Sequence, residues 1–317
     1  MLRTETTSTL PPTVRSEVLA LVEEVARARG GCPLDEHKHR QLRGELGGWT
    51  GIVARDDGRL AGYAHLRWGR RGGVPRATAE LVVPGDDDRV AQPLLDAVEA
   101  AVARAGGGTL YAWAHAVEDP GASPLARRGY AVQRVLAQMA RPLDVPPPAP
   151  DWPPDVTLRP YRPGPDDDEL LRVNNAAFAG HPEQGGWDRD DLAAERAAAW
   201  FDPDDVLLAE ADGRLLGFHW TKRTVEDGTP VGEVHVLGLD PAAQGRGLGR
   251  ALLRAGLLHL HRRGCRRVVL YVDLAQAAAV RLYSSEGFAI ARREVCYEHA
   301  VPAAPDATPS APPAGGG

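Results

Sequence analysis

The sequence predicts an α/β protein of two tandem domains, each a mixed central sheet flanked by helices. Three observations carry this reading. The chain has 317 residues, more than the roughly 250–300 that one hydrophobic core organises, which favours two domains of about 150 residues each. Residues 141–155, RPLDVPPPAPDWPPD, contain seven prolines. Proline lacks the N–H that helices and central strands require, so this stretch reads as a semi-rigid linker. The segments on either side of it repeat one pattern in one order.

GIVARDDGRLAGY at 51–63 matches VLLAEADGRLLGF at 206–218, with Asp57-Gly58 and Asp212-Gly213 as the turns of two hairpins. ELVVP at 80–84 parallels LGLDP at 237–241, Leu94-Leu95 parallels Leu252-Leu253, Tyr111 parallels Tyr271, and Gly129-Tyr130 parallels Gly287-Phe288. The offset stays between 155 and 160 residues throughout, so the halves are an internal duplication. In the second half, the pattern predicts a strand over 156–161, helices near 166–178 and 188–200, and a hairpin over 206–223. A strand over 232–239, a helix over 247–263, a strand over 267–273, a helix over 275–286 and a strand after Gly287 complete it. The expected divisions are a first domain over 1–140, the linker 141–155, a second domain over 156–299, and an unstructured Ala/Pro/Gly tail over 300–317.

Composition narrows the function classes. With 37 basic against 43 acidic residues, no excess positive charge is present to neutralise a polyphosphate, so a small-molecule partner is expected rather than nucleic acid. No apolar run approaches the ~18–20 residues that cross a bilayer, and the opening MLRTETTSTLPPTVR lacks a secretory apolar stretch, so no membrane partner and a cytoplasmic location are expected. Cys32, Cys265 and Cys296 are too few and too scattered for a disulfide framework or a zinc site, and read as reduced thiols.

Chemistry concentrates at VLGLDPAAQGRGLGRALL, 236–253. A strand ends at Asp240-Pro241, and Gln244, Gly245, Arg246, Gly247, Leu248 and Gly249 open a helix whose buried side carries Leu252, Leu253, Leu257 and Leu260. Glycines let a ligand approach the backbone, and free N–H groups in the first helical turn bind phosphate oxygens. Arg246 and Arg250 can add charge-assisted hydrogen bonds. A ligand-free strand-to-helix turn is the alternative. On the strand Glu233-Val234-His235-Val236-Leu237, alternation puts the valines on the core face and Glu233 and His235 on the other. Glu233 is the leading general base and His235 the second candidate; a solvated carboxylate is the alternative. Opposite the glycine loop, the first half has DDRVAQ at 87–92, without glycine and with Asp86, Asp87 and Asp88 where phosphate would lie. Arg76 stands opposite Glu233, and Leu125 opposite Tyr283. The first half is therefore expected to be catalytically silent.

The loop Gln244–Gly249 resembles the Q-x-x-G-x-G pyrophosphate loop of the GNAT acyl-CoA N-acyltransferase superfamily, and RLYSSEGF at 281–288 resembles its L-Y-x-x-x-G-F stretch. The resemblance spans both halves, from about residue 15 to 140 and from 156 to 298, and implies two tandem GNAT domains. It implies acetyl-CoA as cosubstrate, held by the backbone of Leu237, Gly238 and Leu239, by Gln244 to Arg250, and by Gln276, Ala277, Ala278, Ala279, Val280 and Arg281. Its weaker first-half counterpart is Leu81, Val82 and Val83. Tyr283 is implied as the acid that protonates the departing thiolate, with a core tyrosine as the alternative. AFAGHPEQGGW at 177–187, HWTK at 219–222 and CPLDEH at 32–37, on a duplicated GNAT pattern with a degenerate first half, resemble the mycothiol synthase family. That family acetylates the cysteinyl amine of desacetylmycothiol, a cysteine-glucosamine-inositol conjugate. The resemblance implies Glu36, Glu183, Lys222, Glu233 and Tyr271 as acceptor contacts. Direct attack calls for no metal and no covalent enzyme intermediate, and a monomer is expected. Two other readings stay open: a tandem GNAT enzyme acting on another small amine such as an aminoglycoside, and a non-catalytic acyl-CoA-responsive binding module.

Overall fold

The structure is a computed structural model that describes residues 2–44, 48–71, 74–179, 184–226 and 228–305. The chain forms two compact units, one comprising Met1–Ala137, Asp273–Ala275 and the segment from Arg292, the other Gln138–Val272 and Gln276–Ala291.

The first unit begins with β1 (Leu2–Thr7), α1 (Pro12–Arg29) and α2 (Glu36–Leu42). The antiparallel strands β2 (Trp49–Asp56), β3 (Arg59–Arg71) and β4 (Val74–Val82) follow, and α3 (Asp88–Arg104) crosses over to β5 (Gly108–Ala114), which pairs with β4 in parallel. A short α4 (Pro124–Arg127) leads into β6 (Ala131–Pro142). The second unit repeats the order with β7 (Thr157–Pro160), α5 (Asp167–Ala177), α6 (Arg189–Arg196), β8 (Val206–Ala211), β9 (Arg214–Glu226) and β10 (Thr229–Leu239). Then come α7 (Leu248–Arg262), β11 (Arg267–Asp273), α8 (Ala277–Ser285) and β12 (Ala289–Val301).

The duplication extends to backbone detail. The hairpin turns place two successive residues at positive φ, Asp57 at 47° with Gly58 at 85°, and Asp212 at 50° with Gly213 at 72°, as a type I′ turn demands. Each hairpin also shifts register just before its turn, at Ala54/Arg55 and at Ala209/Glu210. The crossover helices bury matching apolar stripes: Val90, Leu94, Leu95 and Val98 on α3, and Leu248, Leu252, Leu253 and Leu257 on α7. At ~1.5–3 kcal/mol per fully buried aliphatic side chain, these stripes fix the strand-to-helix loops that precede them.

Each final strand divides between the units, β6 after Ala137 and β12 after Ala291. The first unit's sheet runs β1-β2-β3-β4-β5 and then the later part of β12, with Val295–Val301 paired antiparallel to Gly108–Ala114. In the second unit the order is β11-β10-β9-β8-β7, and Leu143 N–H donates to the Arg266 carbonyl at 2.7 Å. Division at 140 and 156 follows the repeat in sequence, whereas the compact units divide within β6 and β12. Three boundaries move accordingly. Arg141 and Pro142 belong to β6 and Leu143 is fully buried, so the extended proline segment starts later than 141. Ala300 and Val301 are strand, paired with Thr109 and Gly108, rather than tail. Helix α6 ends at Arg196 instead of running to 200, because Trp200 and Phe201 turn in against Trp220 and Pro203 starts a 3-10 turn capped by Asp202.

Candidate active site

Asp240 sets the exit of β10. Its N–H donates to the Leu216 carbonyl at 2.8 Å, and its carboxylate accepts from Ala242 N–H at 2.9 Å and from the Arg172 and Arg214 guanidinium groups at 2.7 and 3.1 Å. Arg172 foremost holds this carboxyl below the usual range. Beyond it, Gly245 and Gly247 both stand at φ 79°, and a Cβ at either would meet nothing within 4 Å. Backbone angle rather than packing therefore demands glycine there. Gly247 opens α7 with no side-chain cap, while buried Leu248 anchors the first turn. Arg250 N–H donates to the Gly247 carbonyl at 3.2 Å, and the N–H groups before it, those of Leu248 and Gly249, are left for an anion. Arg246, Arg250 and Arg254 line an adjoining cleft of about 300 Å³ together with Asp151, Trp152 and Pro153. Arg246 pairs with Asp155 at 2.7 Å, and buried Glu286 takes Arg250 at 2.6 Å and Arg254 at 2.9 Å. Arg254, Trp152 and Glu286 have no place in the loop motif, and only the fold brings them beside it.

The first unit closes the equivalent helix end by itself. Asp87 caps α3, accepting from Arg89 N–H at 2.9 Å, and Asp88 pairs with Arg127 at 2.8 Å. A cavity of about 600 Å³ nevertheless lies beside it, lined by Leu81, Val83, Gly85, His115, Glu118 and Asp119 among others. Val82 points away from that cavity into the core with Tyr63 and Val53. Next to the cavity, Glu80 is buried and takes Lys38 at 2.8 Å and His115 at 3.4 Å. Burial opposes the charge on His115, yet Glu294 and Glu80 raise its pKa to about 10.

On β10, Val234 and Val236 are buried while Glu233 and His235 are partly exposed, as the alternation requires. The β9–β10 ladder shifts register between Val234 and Val236, leaving His235 as a bulge. Pairing of β10 with β11 spans Val231 to Val234 against Arg267 to Leu270. Residues 236–239, past that stretch, keep their β9 partners on one edge and lack a β11 ladder on the other. The β3–β4 ladder has no counterpart of this bulge and stays in register throughout, and Arg76, opposite Thr109 on β5 as Glu233 is opposite Val269 on β11, stacks at 3.9 Å over Tyr111.

Around the bulge a charged, aromatic cluster assembles. His235 Nδ1 lies 3.4 Å from Glu233 Oε1, His235 Nε2 lies 3.6 Å from Glu195 Oε2, and Lys222 Nζ lies 4.0 Å from Glu233 Oε2. Lys222 also sits 4.8 Å over the Trp200 ring, which meets the His235 ring edge-on at 4.9 Å. Burial works against a charged His235, but Glu195 and Glu233 outweigh it and raise its pKa. Glu195 and Trp200 escaped the sequence reading, since nothing in the periodicity of α6 and the turn after it marks them.

Tyr283 on α8 is buried against Phe288, ring centroids 5.9 Å apart, and burial pushes its phenol up to about 12. Tyr271 is half exposed and its hydroxyl accepts from Gln138 at 2.7 Å. Gln276 precedes α8, whose first turn, Ala277 to Val280, carries no side-chain cap and leaves Ala277, Ala278 and Arg281 exposed. Glu36 is the first residue of α2, its side chain outside the described set, and Glu183 lies outside the described residues. Among the described residues no group of three or more His, Cys, Asp and Glu side chains is arranged to hold a metal ion, and no helix is long and apolar enough to cross a membrane. The three cysteines are free thiols.

Comparison with known proteins gives this geometry a family. Residues 170–288 match the Acetyltransferase (GNAT) family. The chain is similar in fold to a tandem GNAT protein from the clavulanic acid biosynthesis pathway, with TM-score 0.68 and 17% identity over 96% of this chain and 100% of that one. It is 46% identical to the mycothiol acetyltransferase of Thermomonospora curvata, covering 90% of this chain and 94% of that protein. It is 44% identical to that of Acidothermus cellulolyticus, covering 94% of each. The chain belongs to the mycothiol acetyltransferase family of tandem GNAT enzymes.

Proposed function

We infer that the chain transfers the acetyl group of acetyl-CoA to the cysteinyl amine of desacetylmycothiol, giving mycothiol and coenzyme A. The observation that carries this reading is the near-half identity to mycothiol acetyltransferases along nine-tenths of the chain. The chemistry is assigned to the second unit, where one strand bears the base midway along it, a backbone edge without a β11 ladder at its end, and the uncapped α7 beyond it.

In this assignment the pyrophosphate of acetyl-CoA lies on the first-turn N–H groups of α7, with Arg246, Arg250 and Arg254 toward its phosphates. Backbone N–H groups over Leu237–Leu239 receive the thioester oxygen as it becomes an oxyanion. An α-amine with a pKa of ~7.7 is already partly neutral at pH 7, so a carboxylate suffices to take its proton during attack. Glu233 takes that proton. Tyr283 faces the departing sulfur as a hydrogen-bond donor. Burial pushes the phenol up to about 12, and it raises the pKa of a thiol in the same surroundings too, so the Tyr283 hydroxyl serves the leaving sulfur as a hydrogen-bond donor and as the acid that protonates it. Glu36, Glu183, Lys222 and Tyr271 are the proposed contacts to the acceptor's polar groups. The first unit, with Arg76 and Leu125 at the positions of Glu233 and Tyr283 and with α3 capped by its own aspartate, is assigned no chemistry.

Coenzyme A release measured with desacetylmycothiol, an aminoglycoside and a peptide α-amine tests the substrate. Turnover is expected with desacetylmycothiol alone. Brisk turnover with the aminoglycoside and none with desacetylmycothiol overturns it.

A further inference from the structure

We propose that Glu195 is a positioning residue for acetyl transfer: from α6 it holds His235 against Glu233 and so fixes which oxygen of Glu233 faces the amine. The inference rests on the assignment of Glu233 as the proton acceptor.

The argument starts from the bulge. His235 is the extra residue of β10, and a bulged side chain has no ladder to set its direction. Its surroundings set it instead. The rings of Trp200 and Trp220 meet the imidazole edge-on at 4.9 and 5.8 Å, which leaves its two nitrogens as the polar ends. Each nitrogen has one carboxylate, Glu233 at 3.4 Å on Nδ1 and Glu195 at 3.6 Å on Nε2. A doubly protonated imidazole donates at both nitrogens at once, so the two carboxylates and the ring form one line. Lys222 from β9 is the other charged group in the cluster, and it holds the second oxygen of Glu233 at 4.0 Å. His235 thus occupies one oxygen of Glu233, Oε1, and Glu195 secures that imidazole from the far side, while Oε2 has only the looser Lys222 contact. The contact with His235 lowers the pKa of Glu195, and Glu195 and Glu233 raise that of His235, so each member of the outer pair favours the charged form of the other.

Without the Glu195 charge, His235 loses one of the two carboxylates that raise its pKa, and that pKa falls. At pH 7 a larger fraction of the ring is then neutral and its grip on Glu233 weakens. Because the ring is charged at low pH and neutral at high pH, the loss relative to the wild type is largest between the variant's His235 pKa and the wild type's, and small below the first and above the second.

The test is kcat and kcat/KM of Glu195→Gln, His235→Gln and the double variant across pH 5.5–9, with whichever amine the wild type acetylates. Positioned acid–base groups contribute ~10²–10⁴-fold, so loss of positioning alone is expected to lower kcat about tenfold at pH 7.5. The KM for acetyl-CoA should be unchanged and the pH profile changed in shape. The double variant should be no slower than His235→Gln, since Glu195 acts through that ring. Glu195→Asp keeps the charge and should restore part of the rate, which separates positioning from a folding defect. An unchanged kcat and pH profile in Glu195→Gln, or a full further loss in the double variant, overturns the proposal. Absence of turnover by the wild type with desacetylmycothiol refutes the substrate assignment instead.

Discussion

Replacing Gly247 by alanine separates two costs that the structure combines at one residue. The backbone there stands at φ 79° and ψ −2°, and an added Cβ would touch no protein atom within 4 Å. The conformational cost of a side chain in this region is ~1–2 kcal/mol. Gly213, in the β8–β9 turn at φ 72° with the same empty surroundings, carries the same cost away from the loop. Both Gly247→Ala and Gly213→Ala should therefore lower Tm by a similar amount, about 2–4 °C per kcal/mol for a chain of this class. Only Gly247→Ala puts a methyl group where phosphate oxygens approach the helix N-terminus. A hydrogen bond to a charged group contributes about 1.5–3 kcal/mol, so losing one raises the KM for acetyl-CoA roughly 10- to 100-fold. Calorimetry gives the first number and initial rates of coenzyme A release give the second. Equal KM values for the two variants would refute the placement of pyrophosphate on α7, whatever happened to Tm.

Other outcomes follow from the same geometry. Tyr283→Phe should lower kcat about tenfold with little change in either KM, as expected for a hydrogen bond made mainly in the transition state. Its Tm should not fall, because the phenol has no hydrogen-bond partner among the described residues. Glu286→Gln removes the buried carboxylate that holds Arg250 and Arg254, at an expected cost of about 2 kcal/mol near pH 7. Burial opposes charge on Glu286, but Arg254 and Arg250 outweigh it and depress its pKa. Its stabilisation is thus present above the ordinary carboxyl value and lost as pH falls through the depressed folded value, so the melting curves of wild type and variant should approach each other as the medium is made more acidic than the ordinary carboxyl range.

Much of the fold could be read because its signals are local. Two residues such as Asp212-Gly213 determine a hairpin wherever they stand, and a leucine stripe determines the buried face of α7. The division of β6 and β12 between the units leaves no such trace, because each reads as one uninterrupted strand. At the site, the loop glycines and Glu233 were legible from spacing and alternation. Glu195, Trp200 and Arg254 were not, since each reaches the site from a helix or turn whose own pattern is ordinary. The first half shows the opposite case: the sequence places Asp87 and Asp88 at the head of α3, but the roles of Asp87 as the helix's own cap and of Asp88 as a partner of Arg127, beside a cavity that persists, emerged only from geometry.

The central claim, that the second unit performs the acetyl transfer with Glu233 as proton acceptor, is tested most directly by Glu233→Gln. Its single-turnover rate with acetyl-CoA and desacetylmycothiol at pH 7 should fall ~10²–10⁴-fold, with coenzyme A binding unchanged and part of the rate recovered at high pH, where the amine is already neutral. A rate at pH 7 equal to that of the wild type would contradict the account.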